Sequence, residues 1–366
     1  MHHLIIFSKK ISPLLTPILD KTFQVGKVTA IVPNSLKKQF KTFEQVVSSH
    51  QKKISAIAVD DHATAYEIRD CLSKIVDIDS VNVTCDLDFF TAVVTSHYLK
   101  TEVPIYTVDY QDRINWVNQP ENHQEIMDSV SLNNFFKAHG LAFTKEKPCF
   151  TREIRWGFYD LVFNQLNDAP QKIFEEVHDA YLMTRKLFKP KNMTENVVKI
   201  LQYFNDKTEG HILFQNNAFQ IQSSGIVKFF RGAWFEHYVY DVVMDLKSRH
   251  EDLCIQDVAM SGSFNNPNIG DVGVKNEMDV IVLANNKLTL IECKTIPLDS
   301  EKLDALSVIY KLSSIKSRIS DSRTNGMLVS LNTPFTASQI SRAKESGITL
   351  ADLSDLKTKI RQSLVV

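Results

Sequence analysis

The chain has 366 residues, 43% of them apolar and 23% charged, with a formal net charge of -1. That length fits two or three globular domains, and the near-neutral balance excludes a protein that coats nucleic acid or a membrane through bulk electrostatics. Five cysteines, an odd number without CxxC spacing, imply neither a disulfide framework nor a zinc site and fit a reducing cytoplasm.

Elements with strand and helix character alternate over the first part of the chain. Short apolar runs at Leu4–Phe7, Val28–Val32, Ile54–Val59, Val81–Thr84 and Val103–Val108 predict strands. Leu36–His50, Ala63–Ile75 and Phe89–Tyr98 predict the helices between them. This rhythm predicts a mostly parallel sheet covered on both faces, a Rossmann-like domain over residues 1–123. Ligands of such sheets bind beyond the C-terminal strand ends, here Ser8–Thr16 and Thr84–Asp88. Leu4–Phe7 is too short for a signal peptide, and no apolar run approaches a membrane span. No membrane partner and a cytoplasmic location are expected.

Residues 124–224 predict a connector. Ile126–Phe136, Ile173–Phe188 and Glu195–Phe204 have helical periodicity, punctuated by Pro170 and Pro190. A hairpin pattern, His211–Phe214 then Ala218–Gln222, follows them, and helices with such a hairpin are winged-helix-like. Residues 225–366 predict a second, smaller α/β domain. Its helix over Ile226–Arg249 turns Phe235, Val239, Val242 and Leu246 to a core. The polar stretch from Ser261 to Gly273 predicts a long loop. Strands Asp279–Leu283 and Leu288–Lys294 follow, then a helix over Leu306–Ile319, a strand at Met327–Leu331, a helix at Ala337–Ser346 and a strand at Thr349–Ala351.

The chemistry sits in the first strand pair of that domain. Two alternating apolar runs flank Asn285-Asn286, and Asn tolerates the positive φ of a two-residue hairpin turn. The implied register pairs Ala284 with Lys287, Leu283 with Leu288, Ile281 with Leu290 and Asp279 with Glu292, all on one face for the odd-numbered partners. Cβ atoms of such opposed residues lie about 5 Å apart, so two carboxylates there repel unless a cation compensates. A hard divalent ion, Mg²⁺ or Mn²⁺, does this, with the Cys293 carbonyl as a further oxygen ligand. Lys294 follows on the same face, about 7 Å along the strand, within reach of a phosphate or water. Glu236, on the preceding helix beside core-facing Phe235, is a further carboxylate ligand. Together these predict metal-assisted phosphodiester hydrolysis. There is no P-loop, no GxGxxG after the first strand and no HExxH.

At these residues the sequence resembles the PD-(D/E)xK, restriction-endonuclease-like superfamily: Asp279 matches its first acidic position and Glu292-Cys293-Lys294 its second element. The order Gly232-Ala-Trp234-Phe-Glu236, Asn276-Glu277-Met-Asp279, Leu290-Ile-Glu292-Cys-Lys294-Thr295 behind an α/β domain resembles the CRISPR-associated CARF–nuclease fusions of the Card/Can type. Tyr310-Lys311-Leu312 is similar to a helix segment of that group, which implies that Tyr310 and Lys311 stand near the catalytic site. The resemblance implies a homodimer whose N-terminal domains bind cyclic oligoadenylate, typically cyclic tetra-adenylate. It further implies that this binding activates metal-dependent cleavage of DNA or RNA in type III CRISPR antiviral defence. By position the ligand loops are Ser8, Lys9, Lys10 and Ser12, with Thr84, Cys85, Asp86 and Leu87. Many such sensor domains carry a Gly-Gly-Thr-Lys-like loop where this chain has Thr84-Cys85-Asp86-Leu87-Asp88, whose carboxylates repel phosphates and leave Lys9 and Lys10 to compensate.

Overall fold

The computed structural model describes residues 1–119, 123–127, 130–166, 168–170, 172–177, 187–189, 193–266, 275–295, 299–300, 303–319, 323–331 and 334–365. The first unit runs β1 (His2–Ile6), α1 (Ser12–Leu19), β2 (Lys27–Pro33), α2 (Lys37–Ser49), β3 (Lys53–Val59), α3 (Ala65–Ser73), β4 (Ser80–Asn82), α4 (Asp88–Tyr98), β5 (Ile105–Val108), β6 (Arg113–Trp116) and β7 (His123–Glu125). These strands form one sheet in the order β3-β2-β1-β4-β5-β6-β7. The first five are parallel, and β6 and β7 continue it antiparallel. Period-two alternation sends Leu4, Ile6 and Ile31 to the face covered by α3 and α4, and Ile5, Phe7, Val28, Ala30 and Val32 to the face covered by α1 and α2. Strand order reverses between β1 and β4, so the loops after these two strands flank the switch point.

The middle stretch contains α5 (Leu132–Ala138), β8 (Ala142–Glu146), α6 (Arg152–Asp160), β9 (Leu187–Phe188), α7 (Glu195–Lys207), β10 (Ile212–Gln215) and β11 (Ala218–Ile221). The expected hairpin is present as β10 and β11. Residues 172–177 are helical, but Leu187–Phe188, expected to end that helix, pairs as a strand with β11. Phe188 is fully buried opposite Phe219, and a two-residue strand is too short to leave a period-two signal. Residues 178–186 and Pro190 lie outside the described residues. The helix expected from Ile126 begins only at Leu132, capped by Ser131, because β7 occupies the chain to Glu125 and the Met127 amide donates to Asp20. The expected boundary at 123 thus falls within β7.

The last unit holds α8 (Ser224–Lys228), α9 (Trp234–Arg249), β12 (Ile255–Asn265), β13 (Asn276–Ala284), β14 (Lys287–Lys294), β15 (Asp299–Ser300), β16 (Leu303–Asp304), α10 (Ala305–Arg318), β17 (Asn325–Ser330), α11 (Ala337–Glu345), β18 (Ile348–Asp352) and α12 (Leu356–Val365). Its sheet has the order β18-β17-β14-β13-β12-β8, so β8, from the stretch expected to connect, forms one edge. The loop expected from Ser261 is a strand as far as Asn265, and residues 267–273 lie outside the described residues. Small residues allow this tight packing: a Cβ on Gly262 would stand 2.5 Å from Ile281 Cδ1. Val280, Val282 and Ile291 pack towards α9 and α12, while Ile281, Leu283, Leu288 and Leu290 pack towards α10. The second of these clusters continues through stacked Phe136, Phe143 and Phe264 into the core under α1 and α2, so one apolar body joins the two large sheets.

Candidate active site

The turn between β13 and β14 is the one its asparagines demand. Asn285 and Asn286 have φ of 49° and 55°, as a primed two-residue turn needs. Pairing runs from Ala284–Lys287 through Leu283–Leu288 and Ile281–Leu290 to Val280–Ile291, the register expected from the sequence. One step further the regular ladder gives way: the Cys293 amide donates to Asp279 Oδ2 at 2.6 Å. The expected Asp279–Glu292 ladder pair is therefore replaced by a side-chain contact: Asp279 lies within β13, with its carboxylate held by the backbone near the C-terminal end of β14.

Glu292 is buried, and its Oε1 accepts from Lys294 Nζ at 2.6 Å and from Lys311 Nζ at 3.2 Å. Lys311 comes from α10. Glu236 comes from the first turn of α9, whose neighbours Trp234 and Phe235 pack into the other core cluster. Helices on opposite faces of the sheet thus deliver groups to one strand end. The chain reaches Glu236 through a break in the helix expected over Ile226–Arg249. Phe229–Ala233 form a π-type segment, in which Gly232 has φ 130° and lies close to Thr295. That φ needs glycine, and the kink re-aims the helix so that Glu236 points at the site.

The electrostatics record a surplus of negative charge. Burial, then Glu292 and Glu236, push the Asp279 carboxyl well above its usual range, against Lys294 and the Cys293 amide. Burial also raises Glu236, helped by Glu292 and Glu277 and opposed by Lys228 and Lys294. Burial alone would lower the Lys294 ammonium, but Glu292 and Asp279 hold it above its ordinary value. The Cys293 thiol is pushed up by burial and by the surrounding carboxylates, so it stays protonated and only its carbonyl is available as a ligand. Among the described residues no three His, Cys, Asp or Glu side chains already form a cage around one point. The lysines neutralise Glu292 instead. The donor chemistry fits a divalent ion nonetheless: Asp279, Glu292 and Glu236 offer hard oxygens that repel one another until a cation is supplied.

Asp279, Glu236, Glu292, Cys293, Lys294 and Lys311 therefore come together. Tyr310, next to Lys311 on α10, is half exposed, with its ring under the Arg342 guanidinium of α11 at 5.4 Å. Lys228 and Glu277 also stand near the site; Glu277 lies in the motif segment Asn276–Asp279, whereas Lys228 carried no sequence signal. Lys228 bonds Glu146 of β8 at 2.9 Å and acts on Glu236 from α8, a placement set by the π-type kink rather than by helical spacing.

The other candidate site lies at the β1/β4 switch point. A cavity of about 220 Å³ is lined by Lys9, Pro33, Ser35, Leu36, Asp61, Asp86, Leu87 and Phe90. Of the expected ligand residues it brings together Lys9, Asp86 and Leu87. Ser8 and Ser12 are buried, and Ser8 Oγ accepts from the Lys10 amide. Thr84 Oγ1 accepts from the Val108 amide at 2.7 Å, and Cys85 Sγ contacts Thr91 Oγ1 at 2.9 Å, so both shape the loop from within.

Residues 224–365 match the family model described as Card1-like, endonuclease domain. Comparison with curated proteins finds no match. Among solved structures, the fold is similar to protein VC1899 from Vibrio cholerae, with TM-score 0.83 and 18% identity over 99% of this chain and 97% of that one. It is also similar to Can2 from Sulfobacillus thermosulfidooxidans in complex with cyclic tetra-adenylate, with TM-score 0.76 and 21% identity over 100% and 97%. A type III CRISPR defence DNA nuclease activated by cyclic oligoadenylate gives TM-score 0.60 and 13% identity, covering 96% of this chain and 48% of that chain. The chain thus shares the two-part α/β fold of these structures along its whole length, and its residues 224–365 are similar to the Card1-like endonuclease domain.

Proposed function

We propose that the protein is a divalent-metal-dependent nuclease of type III CRISPR defence, working as a homodimer and switched on by cyclic oligoadenylate, cyclic tetra-adenylate foremost. In this reading residues 1–123 sense the activator, 124–224 connect, and 225–366 cut, with β8 lent to the catalytic sheet. The observation that carries the reading is the convergence of Asp279, Glu292 and Lys294 at one strand end, in an excess of buried negative charge. Mg²⁺ or Mn²⁺ bound there would activate water and offset charge on the scissile phosphate. Asp279, Glu292, Glu236 and the Cys293 carbonyl would hold it. Lys294, released from Glu292, faces the phosphate and stabilises the charge that builds up during attack. Lys311 supplies a second cation at the same carboxylate, and Lys228 a third near Glu236. Tyr310, by its exposure, lies where a nucleic-acid strand approaching α10 would pass.

The switch-point cavity supports an anionic ligand less directly, since Lys9 shares it with Asp86 and Asp61. The sensor role rests on position in the fold and on the likeness to Can2 with its cyclic tetra-adenylate. The test is cleavage of labelled single-stranded DNA, duplex DNA and RNA with Mn²⁺ or Mg²⁺, run with and without cyclic tri-, tetra- and hexa-adenylate. Cleavage at full rate without any of them would instead mark an ungated repair or restriction nuclease. No cleavage with any metal would mark a ligand-binding regulator with a silent nuclease fold.

A further inference from the structure

The two large sheets meet turn to turn. The tip of the β5–β6 hairpin, Asp109–Asp112, lies against the Asn285-Asn286 turn that closes the β13–β14 hairpin. At the centre is Asp112, buried and held at a positive φ of 61°. Its Oδ1 accepts from Thr16 Oγ1 of α1 at 3.0 Å and is paired with the Arg323 guanidinium at the start of β17. Its Oδ2 accepts from Asn286 Nδ2 at 2.6 Å. Asn286 is fixed from the other side by Gln256, whose Oε1 accepts from the Asn286 amide at 2.7 Å. Lys287, the next residue, places its ammonium over the Tyr110 ring at 5.3 Å. Thr16, Asp112, Asn286, Lys287 and Arg323 are all buried.

Each partner of Asp112 leads somewhere functional. Thr16 belongs to the helix that begins right after the switch-point loop of Lys9 and Lys10. Asn286 is six residues from Glu292 along one strand, about 20 Å at strand rise. Arg323 precedes β17, the strand paired to the other side of β14, where Glu292 stands opposite Leu328. A buried carboxylate with three donors from three elements has one low-energy arrangement, and shifting one donor strains the others.

We propose that Asp112 is a positioning residue for the nuclease: through Asn286 and Arg323 it sets the catalytic hairpin, and through Thr16 it lets the switch-point helix move that setting. The metal-and-phosphate site itself is the one proposed above, and the inference rests on that reading. The first domain thereby completes the alignment of a site to which it contributes no ligand.

The test uses the full chain with Asn286→Gly, which tolerates the positive φ and removes the side-chain contacts to Asp112 and Gln256 while keeping the backbone amide bond to Gln256, and Thr16→Val, which keeps the shape and removes the hydroxyl. Single-turnover cleavage, Mn²⁺ affinity, cyclic tetra-adenylate affinity and melting midpoint are measured for each. Asn286→Gly is expected to cut kcat by about tenfold or more with KM within about twofold, since small misplacements of catalytic groups cost that much, and to weaken Mn²⁺ binding. Thr16→Val is expected to lower the ratio of activated to basal cleavage while binding cyclic tetra-adenylate as the parent does. Lowered melting midpoints with kcat, Mn²⁺ affinity and activation ratio unchanged would make the contact merely structural and overturn the proposal. A parent that cuts nothing would refute the functional reading. Mn²⁺ affinity would then still decide this one, because unchanged or absent Mn²⁺ binding across the set overturns it.

Discussion

Asp279 Oδ2 accepts the Cys293 amide at 2.6 Å, so a carboxylate whose ionisation burial and its acidic neighbours strongly oppose is also tied to the backbone of its partner strand. An Asn side chain can keep that bond through its own oxygen and carries no charge. Asp279→Asn is therefore expected to raise the melting midpoint of the metal-free protein while lowering cleavage by at least ~10². The pH dependence follows from the direction of the shift. A carboxyl raised in the folded state binds its proton more tightly there than in the unfolded chain. Metal-free stability then falls as pH rises above 3.8, through the window up to the raised value. Midpoints recorded against pH check this: the parent falls across the window and the variant flattens.

A bound cation should reverse the penalty. Mn²⁺ at a hundred times its dissociation constant should stabilise the parent by about 2.7 kcal/mol. The gain should disappear in Asp279→Asn and Glu292→Gln. Calorimetric unfolding with Mn²⁺ and with chelator measures it. Equal gains in parent and variants would place the ion elsewhere.

His3 gives an acid-side signature unrelated to the active site. It is fully buried, with Nδ1 2.8 Å from Ser80 Oγ, and burial pushes its pKa down to about 3. The folded state keeps this ring neutral where the unfolded chain, at 6.5, would bind a proton. Stability must therefore fall as pH drops from 6.5 to about 3, by about 1.4 kcal/mol per unit from this group. His3→Gln should remove that slope in urea titrations, and an unchanged slope would assign it to other groups.

At the switch point, Lys9 and Asp86 line one cavity with opposite charges. For a phosphate-rich ligand Lys9→Ala should weaken binding and Asp86→Asn should strengthen it. Each should shift the dissociation constant by about fivefold, the size of one half-exposed charge contact. Calorimetry at two salt concentrations checks the sign, since the charge contribution shrinks with salt.

The hairpin was legible because its information is local. Two asparagines and the flanking alternating apolar residues define the turn and the register as far as Val280–Ile291; the next pair, Asp279 with Glu292, gives way to the Cys293 amide contact. The parallel character of the first five strands was legible from the strand–helix rhythm for the same reason, whereas the short antiparallel β6 and β7 were not. Lys228 and the Gly232 kink were not, because a π-type insertion breaks the periodicity by which a helix face is read. Nor was β8, an edge strand whose partner β12 is over a hundred residues away, or the strand character of Ser261–Asn265, where small polar residues and the positive φ of Ser261 interrupt the apolar alternation. The Asp112–Arg323 pair spans 211 positions and joins two units whose internal patterns are each complete without it.

The most direct measurement is single-turnover cleavage of a labelled oligonucleotide with Mn²⁺ by the parent, Asp279→Asn and Glu292→Gln, with folding checked by melting midpoint. The account predicts cutting by the parent alone, with both variants folded and Asp279→Asn melting higher. Cutting by both variants at the parent's rate would mean that these two acids do not share the reacting ion.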